Sequence, residues 1–378
     1  MLARLTPGFF LLVLATAIAA CSSNATTPSS GGVPGIGPNF PTNSIYVANT
    51  GGEAIEIFMP SPAPSTLPAY AIGGSNTTMN GPQYLAFDSN KNLYATNFNA
   101  AQSTSSILQF AEFATGNVLP VNSYALASTQ HPRGIATLPS AAGFVVAVTN
   151  PGNFFNNQVL VYEGGALAME IAGANTQLNI PTGVAVKGGN TFFVSNNGGA
   201  SVTVYVTPSP APSPTPTATP TATPAPTPTP TPTPVGATPS PTPVPTATPT
   251  PASDDLTPAF TIAGANTQLS SPMGIALDSA GNLYVADAGQ PSPRILVFNA
   301  PSGTGTVNIA PSRTITSASL VNPTDVKVDA SGTIYVIDQG AGPSGTSKLL
   351  IFAANANGNS VPTIVPLPGN DTGLALSP

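Results

Sequence analysis

From residue 44 onward the hydrophobic and polar positions follow one recurring order. A proline, a variable residue and usually a glycine lead into a short apolar stretch. A polar turn follows, then an aromatic-rich stretch ending in Asn or Asp, then a loop and a second apolar stretch. The clearest copy is PMGIALDSAGNLYVADAGQPSPRILVF, residues 272–298. Apolar residues alternate there with small or polar ones at the two-residue period of a strand, and DSAGN, with Gly281 suited to a positive φ, reads as a hairpin turn. Four strands are expected in this unit, at 274–277, 282–286, 294–298 and 313–316.

Further copies start at Pro82, Pro132, Pro181 and Pro323, so the successive intervals are 50, 49, 91 and 51 residues. The long interval also separates two copies of the octapeptide IAGANTQL, at 171–178 and 262–269, and it contains a Pro/Thr tract at 207–252 with 18 prolines in 46 residues. Removing the tract restores the usual spacing, so the tract is an insert within one unit, the fourth. Its composition cannot pack a core and favours extended polyproline II. Strand parity puts it on the face of the first hairpin turns, opposite the loops that join units.

Units of 40 to 50 residues with four short strands are the signature of propeller blades. Residues 370–378, NDTGLALSP, read as a first strand with no unit after it, while 43–58 read as second and third strands with no first strand before them. Together they complete one blade and remove the exposed edges of a linear stack. The expected fold is therefore all-β, a six-bladed β-propeller spanning 44–378 and closed by pairing of its terminal strands. The stretch GNLYVADAGQPSPRILVF resembles the second and third strands of NHL-repeat propellers, a likeness that implies the fold and leaves the function open.

Composition adjusts this picture in two ways. Only 6% of the 378 residues are charged and the net charge is -6, so there is no basic footprint for nucleic acid. Residues 1–20 carry Arg4 and an apolar run at 9–18, about ten residues against the roughly 20 that a membrane-spanning helix needs, and read as an export signal. The residues Ile18-Ala19-Ala20-Cys21 resemble the lipobox of bacterial lipoproteins, which implies cleavage before Cys21, the only cysteine, and its acylation. By the same resemblance, Ser22 favours the outer membrane where the host has one. Residues 21–43 are then a lipid-anchored Ser/Gly/Pro tether, and the expected location is the cell envelope, on the extracytoplasmic side.

Candidate chemistry is sparse. His131 is the sole histidine, there is no Trp, and no phosphate loop or nucleophile elbow occurs. The second strands end in Asn49, Asn97, Asn150, Asn196, Asp287 and Asp338, a ring expected to start local turns by bonding the backbone two residues on. The variable residues of the Pro-x-Gly starts, Gln83, Arg133, Thr182, Met273, Thr324 and Thr372, should face the axis. The chain also resembles, distantly in fold, the six-bladed gluconolactonase-like hydrolases, which place acidic or amide calcium ligands near these entries. Met and Thr stand here instead, so calcium is unsupported, and no metal or other cofactor and no catalytic residue is assigned. What remains is a mixed mouth of Tyr84, His131, Arg133 and Asp325, with Arg133 and Asp325 expected to oppose each other across the ring. The leading expectation is a monomeric, lipid-anchored module that binds a protein or small-molecule ligand through its inter-blade loop face. A divalent-cation-dependent lactone or ester hydrolase is the alternative.

Overall fold

The computed structural model describes residues 39–99, 104–127, 130–139, 143–149, 157–207, 253–341 and 346–378. The expected signal segment, Cys21, most of the expected tether, Asn150 and insert residues 208–252 lie outside them.

Six antiparallel four-stranded sheets surround one axis. Blade 1 takes its innermost strand, Asp371–Leu376, from the chain end and adds Ile45–Asn49, Ala54–Phe58 and Tyr70–Gly73. Blade 2 comprises Pro82–Phe87, Leu93–Asn99, Thr104–Phe110 and Asn122–Leu126, and blade 3 His131–Thr137, Phe144–Thr149, Gln158–Glu163 and Ala166–Ala172. Pro181–Lys187, Thr191–Asn196, Ser201–Val206 and Phe260–Ile262 form blade 4, so the flanks of the insert are third and fourth strands of one blade. Blade 5 is Pro272–Leu277, Leu283–Asp287, Arg294–Phe298 and Arg313–Thr316, and blade 6 is Pro323–Val328, Ile334–Asp338, Lys348–Phe352 and Thr363–Pro366. The first strands of neighbouring blades touch all the way round. Blade 5 matches the sequence expectation except that its first strand begins two residues earlier, at Pro272, and its second lies one residue later, at Leu283–Asp287. The expected closure is present as Ile45↔Leu376, Tyr46↔Ala375 and Val47↔Leu374.

The two-residue period explains the low charge. Ile45 and Val47 face blade 6 and pack on Tyr335, Ile337 and Leu349, while Tyr46 and Ala48 face blade 2 and pack on Leu85, Leu93 and Ala95. Each sheet is thus covered on both faces, and six apolar clusters fill the six junctions. Strands buried on both faces have little room for charge.

Outer strands are clamped by the next blade. The loop between third and fourth strands lays a short parallel piece on its neighbour: Ser253–Asp254 of blade 4 on blade 3, Gly305–Val307 of blade 5 on blade 4, and Gly358–Asn359 of blade 6 on blade 5. A single bridge, Ile72↔Gly116, does the same between blades 1 and 2. These clamps explain the repeated octapeptide. In both copies ANT forms one 3-10 turn, preceded by Gly173 or Gly264 at φ 124° and 111°, and the turn Asn offers its N–H to the clamping loop. Asn175 N donates to Asp255 Oδ1 at 2.8 Å and Asn266 N to Asn308 Oδ1 at 2.9 Å. A third, divergent copy, IGGSNTTM at 72–79, turns the same way, with Asn76 N on Asn117 Oδ1 at 2.7 Å.

Candidate axial site

The Pro-x-Gly starts are bulges. In all six blades the register between first and second strand shifts across this tripeptide, which explains why sequence period alone missed its first two residues. Glycine is needed because the strands converge. A Cβ on Gly134 would lie 2.5 Å from Thr182 O, one on Gly183 would lie 2.5 Å from Met273 O, and one on Gly373 would collide with Gln83 O.

Two blades break the pattern, and both exceptions fill the axis. Tyr84 stands in the glycine position of blade 2 and reaches across to blade 6, where its Oη donates to Thr324 O at 3.3 Å. It is 4% exposed, so its ring fills the space among the strand starts rather than lining an open mouth. Burial and the neighbouring Asp325 raise its pKa, while Arg133 partly opposes them. Asp325 holds the same position in blade 6. Its carboxylate is buried and bound by Lys327 Nζ at 2.8 and 2.9 Å, by Val326 N at 2.9 Å and by Leu374 N at 3.0 Å. Burial pushes this carboxyl up, and Lys327 with the two N–H donors pulls it back part of the way.

The structure therefore brings Tyr84 and Asp325 together and leaves the other two sequence candidates on the loop side. Arg133, on the blade that faces the blade of Asp325, makes no ion pair with it. Its Nη1 donates to Gln83 Oε1 at 3.4 Å, because Lys327, two residues along the same strand, already occupies the acid. His131 lies against Phe98, ring centroids 3.8 Å apart, and burial together with Arg133 holds its pKa below the usual value.

Nor do the strand-end amides and acids form an open ring of ligands. Asn97 Oδ1 accepts from Asn80 N, Asn196 Oδ1 from Asn179 N, Asp287 Oδ1 from Ser270 and Ser271 N, and Asp338 Oδ2 from Val321 and Asn322 N. Each staples the loop that enters its own blade, some 17 residues back in sequence. The expected bond two residues on is made by Asp338 Oδ1 with Gly340 N at 2.9 Å. Among the described residues no group of three or more His, Cys, Asp or Glu is arranged to hold a metal. With Asp325 fully engaged, the axial donor set does not fit a divalent cation.

The open space lies on the other side of the Tyr84 plug. A cavity of about 340 Å³ faces the first hairpin turns and is lined by the later residues of all six first strands, among them Phe87, Thr137, Val186, Leu277, Lys327 and Leu376. Four residues after each initial position stand Ala86, Ala136, Ala185, Ala276 and Ala375, with Lys327 as the sixth. Five methyl groups leave room for one long cation. That single lysine in a ring of alanines is visible in the aligned units, two residues beyond the Pro-x-Gly starts.

No protein-family model matches the chain, and no curated protein matches it. Solved structures do. A Bacteroides caccae protein of unknown function is similar at TM-score 0.55 and 9% identity, over 89% of this chain and 99% of that one. A luciferin-regenerating enzyme is similar at TM-score 0.50 and 12% identity, over 88% and 95%. A gluconolactonase from Xanthomonas campestris gives TM-score 0.45 and 13% identity over 90% and 91%. At such identities the first two likenesses bear on the fold alone, and with the six closed sheets described above this chain is a six-bladed β-propeller.

Proposed function

We propose that the chain is a lipid-anchored, extracytoplasmic binding module of the NHL-like kind, and that its ligand enters the axial cavity from the hairpin face. The observation that carries this reading is the cavity itself. Its volume of about 340 Å³ falls at the lower end of small-molecule sites, its walls mix apolar side chains with polar groups, and Lys327, which is paired with Asp325, lines it together with Asp88. A small molecule with an apolar part and one polar or anionic end suits these walls. The Tyr84 plug argues for placing the ligand here rather than at the inter-blade loop face, where His131 and Arg133 lie.

The test is binding of anilinonaphthalene sulfonate, an apolar fluorophore with an anionic end, to the folded protein. Ala136→Phe fills the cavity from its partly exposed wall and is expected to weaken binding at least about tenfold with the fold intact, the loss of most apolar contact area. Unchanged binding in that variant would place the ligand elsewhere. Lactone turnover that needs calcium and is lost in Asp325→Asn would favour the hydrolase instead.

A further inference from the structure

Four blades begin their first strand with proline and blade 3 has Pro132 in second place, each opposite the last residue of the second strand or within two places of it. Blade 1 begins with Asp371, opposite Asn49. The substitution puts a carboxylate where the other blades have an apolar ring. Asp371 is fully buried, and neither of its carboxylate oxygens makes a hydrogen bond of good geometry, the Gly369 N–H and Ser347 hydroxyl being its nearest donors. Beside it is Glu56, 7% exposed, whose Oε1 accepts from Asn49 Nδ2 at 2.9 Å and whose Oε2 is also without a partner. Asn49 is thus the cross-strand neighbour of one acid and the hydrogen-bond donor to the other. The ion pairs among the described residues are Lys91–Glu112, Arg294–Asp287 and Lys327–Asp325, and none reaches this place. Asp287 Oδ2 and Arg294 Nε, also buried without hydrogen bonds, at least face each other at 3.3 Å.

Two buried carboxylates with three unmatched oxygens cannot both stay charged without a counter-charge. Burial and the charge of Glu56 push the Asp371 carboxyl up to about 7, although the Gly369 N–H and Ser347 hydroxyl nearby relieve it a little. Burial likewise raises Glu56, partly offset by Asn49.

We propose that Asp371 and Glu56 hold a calcium ion at the seam where the chain end meets the chain start. An oxygen-only donor set with two negative charges suits a hard divalent cation. Calcium accepts irregular arrangements of carboxylate, amide and backbone oxygens, whereas magnesium insists on near-octahedral geometry and keeps several waters, which a buried site does not supply. The ion neutralises both acids and ties strand Asp371–Leu376 to strand Ala54–Phe58 across the Ile45–Asn49 strand between them. It stands at the rim of blade 1, apart from the axial cavity, and is independent of any ligand there.

The experiment is a calorimetric calcium titration of the full chain after EDTA treatment at about pH 8, with thermal unfolding in EDTA and in about 1 mM calcium, the range of extracellular calcium modules. One calcium per chain and a raised Tm are expected. Asp371→Asn and Glu56→Gln should each weaken binding at least about tenfold and lose the Tm shift. Asp278→Asn, a turn acid of blade 5, should keep both. Absence of binding to the unaltered protein, or binding to Asp371→Asn equal to it, overturns the proposal. In the former case the pair is held by a shared proton, read as stability that falls with rising pH whether or not calcium is present. Should Asp371→Asn not fold, the unaltered titration and Glu56→Gln decide.

Discussion

Single side chains close the tightest turns of this molecule. Asp329 Oδ1 accepts from Ser331 N and Thr333 N, both at 2.9 Å, and its Oδ2 takes the Tyr335 hydroxyl at 3.0 Å. Asp88 and Asp278 repeat the arrangement with Asn92 and Tyr94 and with Asn282 and Tyr284. Burial alone would raise the Asp329 pKa, but these donors, the Ser331 hydroxyl first among them, outweigh it and hold the carboxyl below its ordinary range. The sign follows: the stability Asp329 supplies is complete above its unfolded pKa near 4 and is lost as pH falls through its lower folded value. Asp329→Ala should cost about 1 to 2 kcal/mol at neutral pH, and chemical unfolding at low pH should show the gap to the unaltered protein narrowing. Glycine at the axis is the other residue-level constraint. Gly183→Ala should destabilise by about 1 to 3 kcal/mol, since its methyl meets the Met273 carbonyl, which the neighbouring blade cannot withdraw. A Tm equal to that of the parent would refute the close-packing account.

Among elements, the junctions differ in how they are held. Among the described residues four carry a parallel clamp and two do not. Blade 3 turns between its outer strands through Gly164 and Gly165, too short a loop to reach blade 2. Blade 1 has a longer loop at 59–69, but Pro60, Pro62, Pro64 and Pro68 remove the N–H donors that strand addition needs. The junction of blades 2 and 3 is filled by rings instead: Phe144 stacks on Tyr162 at 4.7 Å and meets Tyr94 at 5.2 Å and Tyr124 at 5.0 Å. Phe144→Ala should therefore cost about 3 to 5 kcal/mol, measured by denaturant unfolding. Strands were legible in the sequence at this scale because both faces of each are buried and the turns carry Asp, Asn and Gly. Clamps were not, since pieces of two or three residues such as Gly358–Asn359 have no period to read. The third octapeptide copy escaped for another reason: only Ile72, Gly74, Asn76 and Thr77 of it match.

For the whole molecule, closure is the feature the spacing of prolines foretold, and the interval of 48 residues from Pro323 to Asp371 required it. The site was half legible. Tyr84 and Asp325 were two of the four residues expected at the mouth, but which end of the axis stays open depends on where a tyrosine points, and spacing does not carry that. Removing residues 371–378 should open the ring and replace one cooperative unfolding transition with a broad one at lower temperature, seen by calorimetry; a single sharp transition near the original Tm would contradict closure. Anchoring is tested by Cys21→Ala, expected to move the protein from the membrane to the soluble fraction.

The roots of the insert bear on how the chain tolerates cutting. Thr207 is fastened by Asn190, whose carbonyl accepts its N–H at 2.9 Å and whose side-chain amide donates to its carbonyl at 3.2 Å. Ser253–Asp254, on the far side, is fastened to blade 3. A protease that severs the chain between these two roots therefore leaves the halves held by sheet pairing and blade contacts, so that a nicked sample migrates as one particle in gel filtration and as two bands under denaturing conditions. The same location offers natural new ends for a rearranged gene in which the present termini are fused.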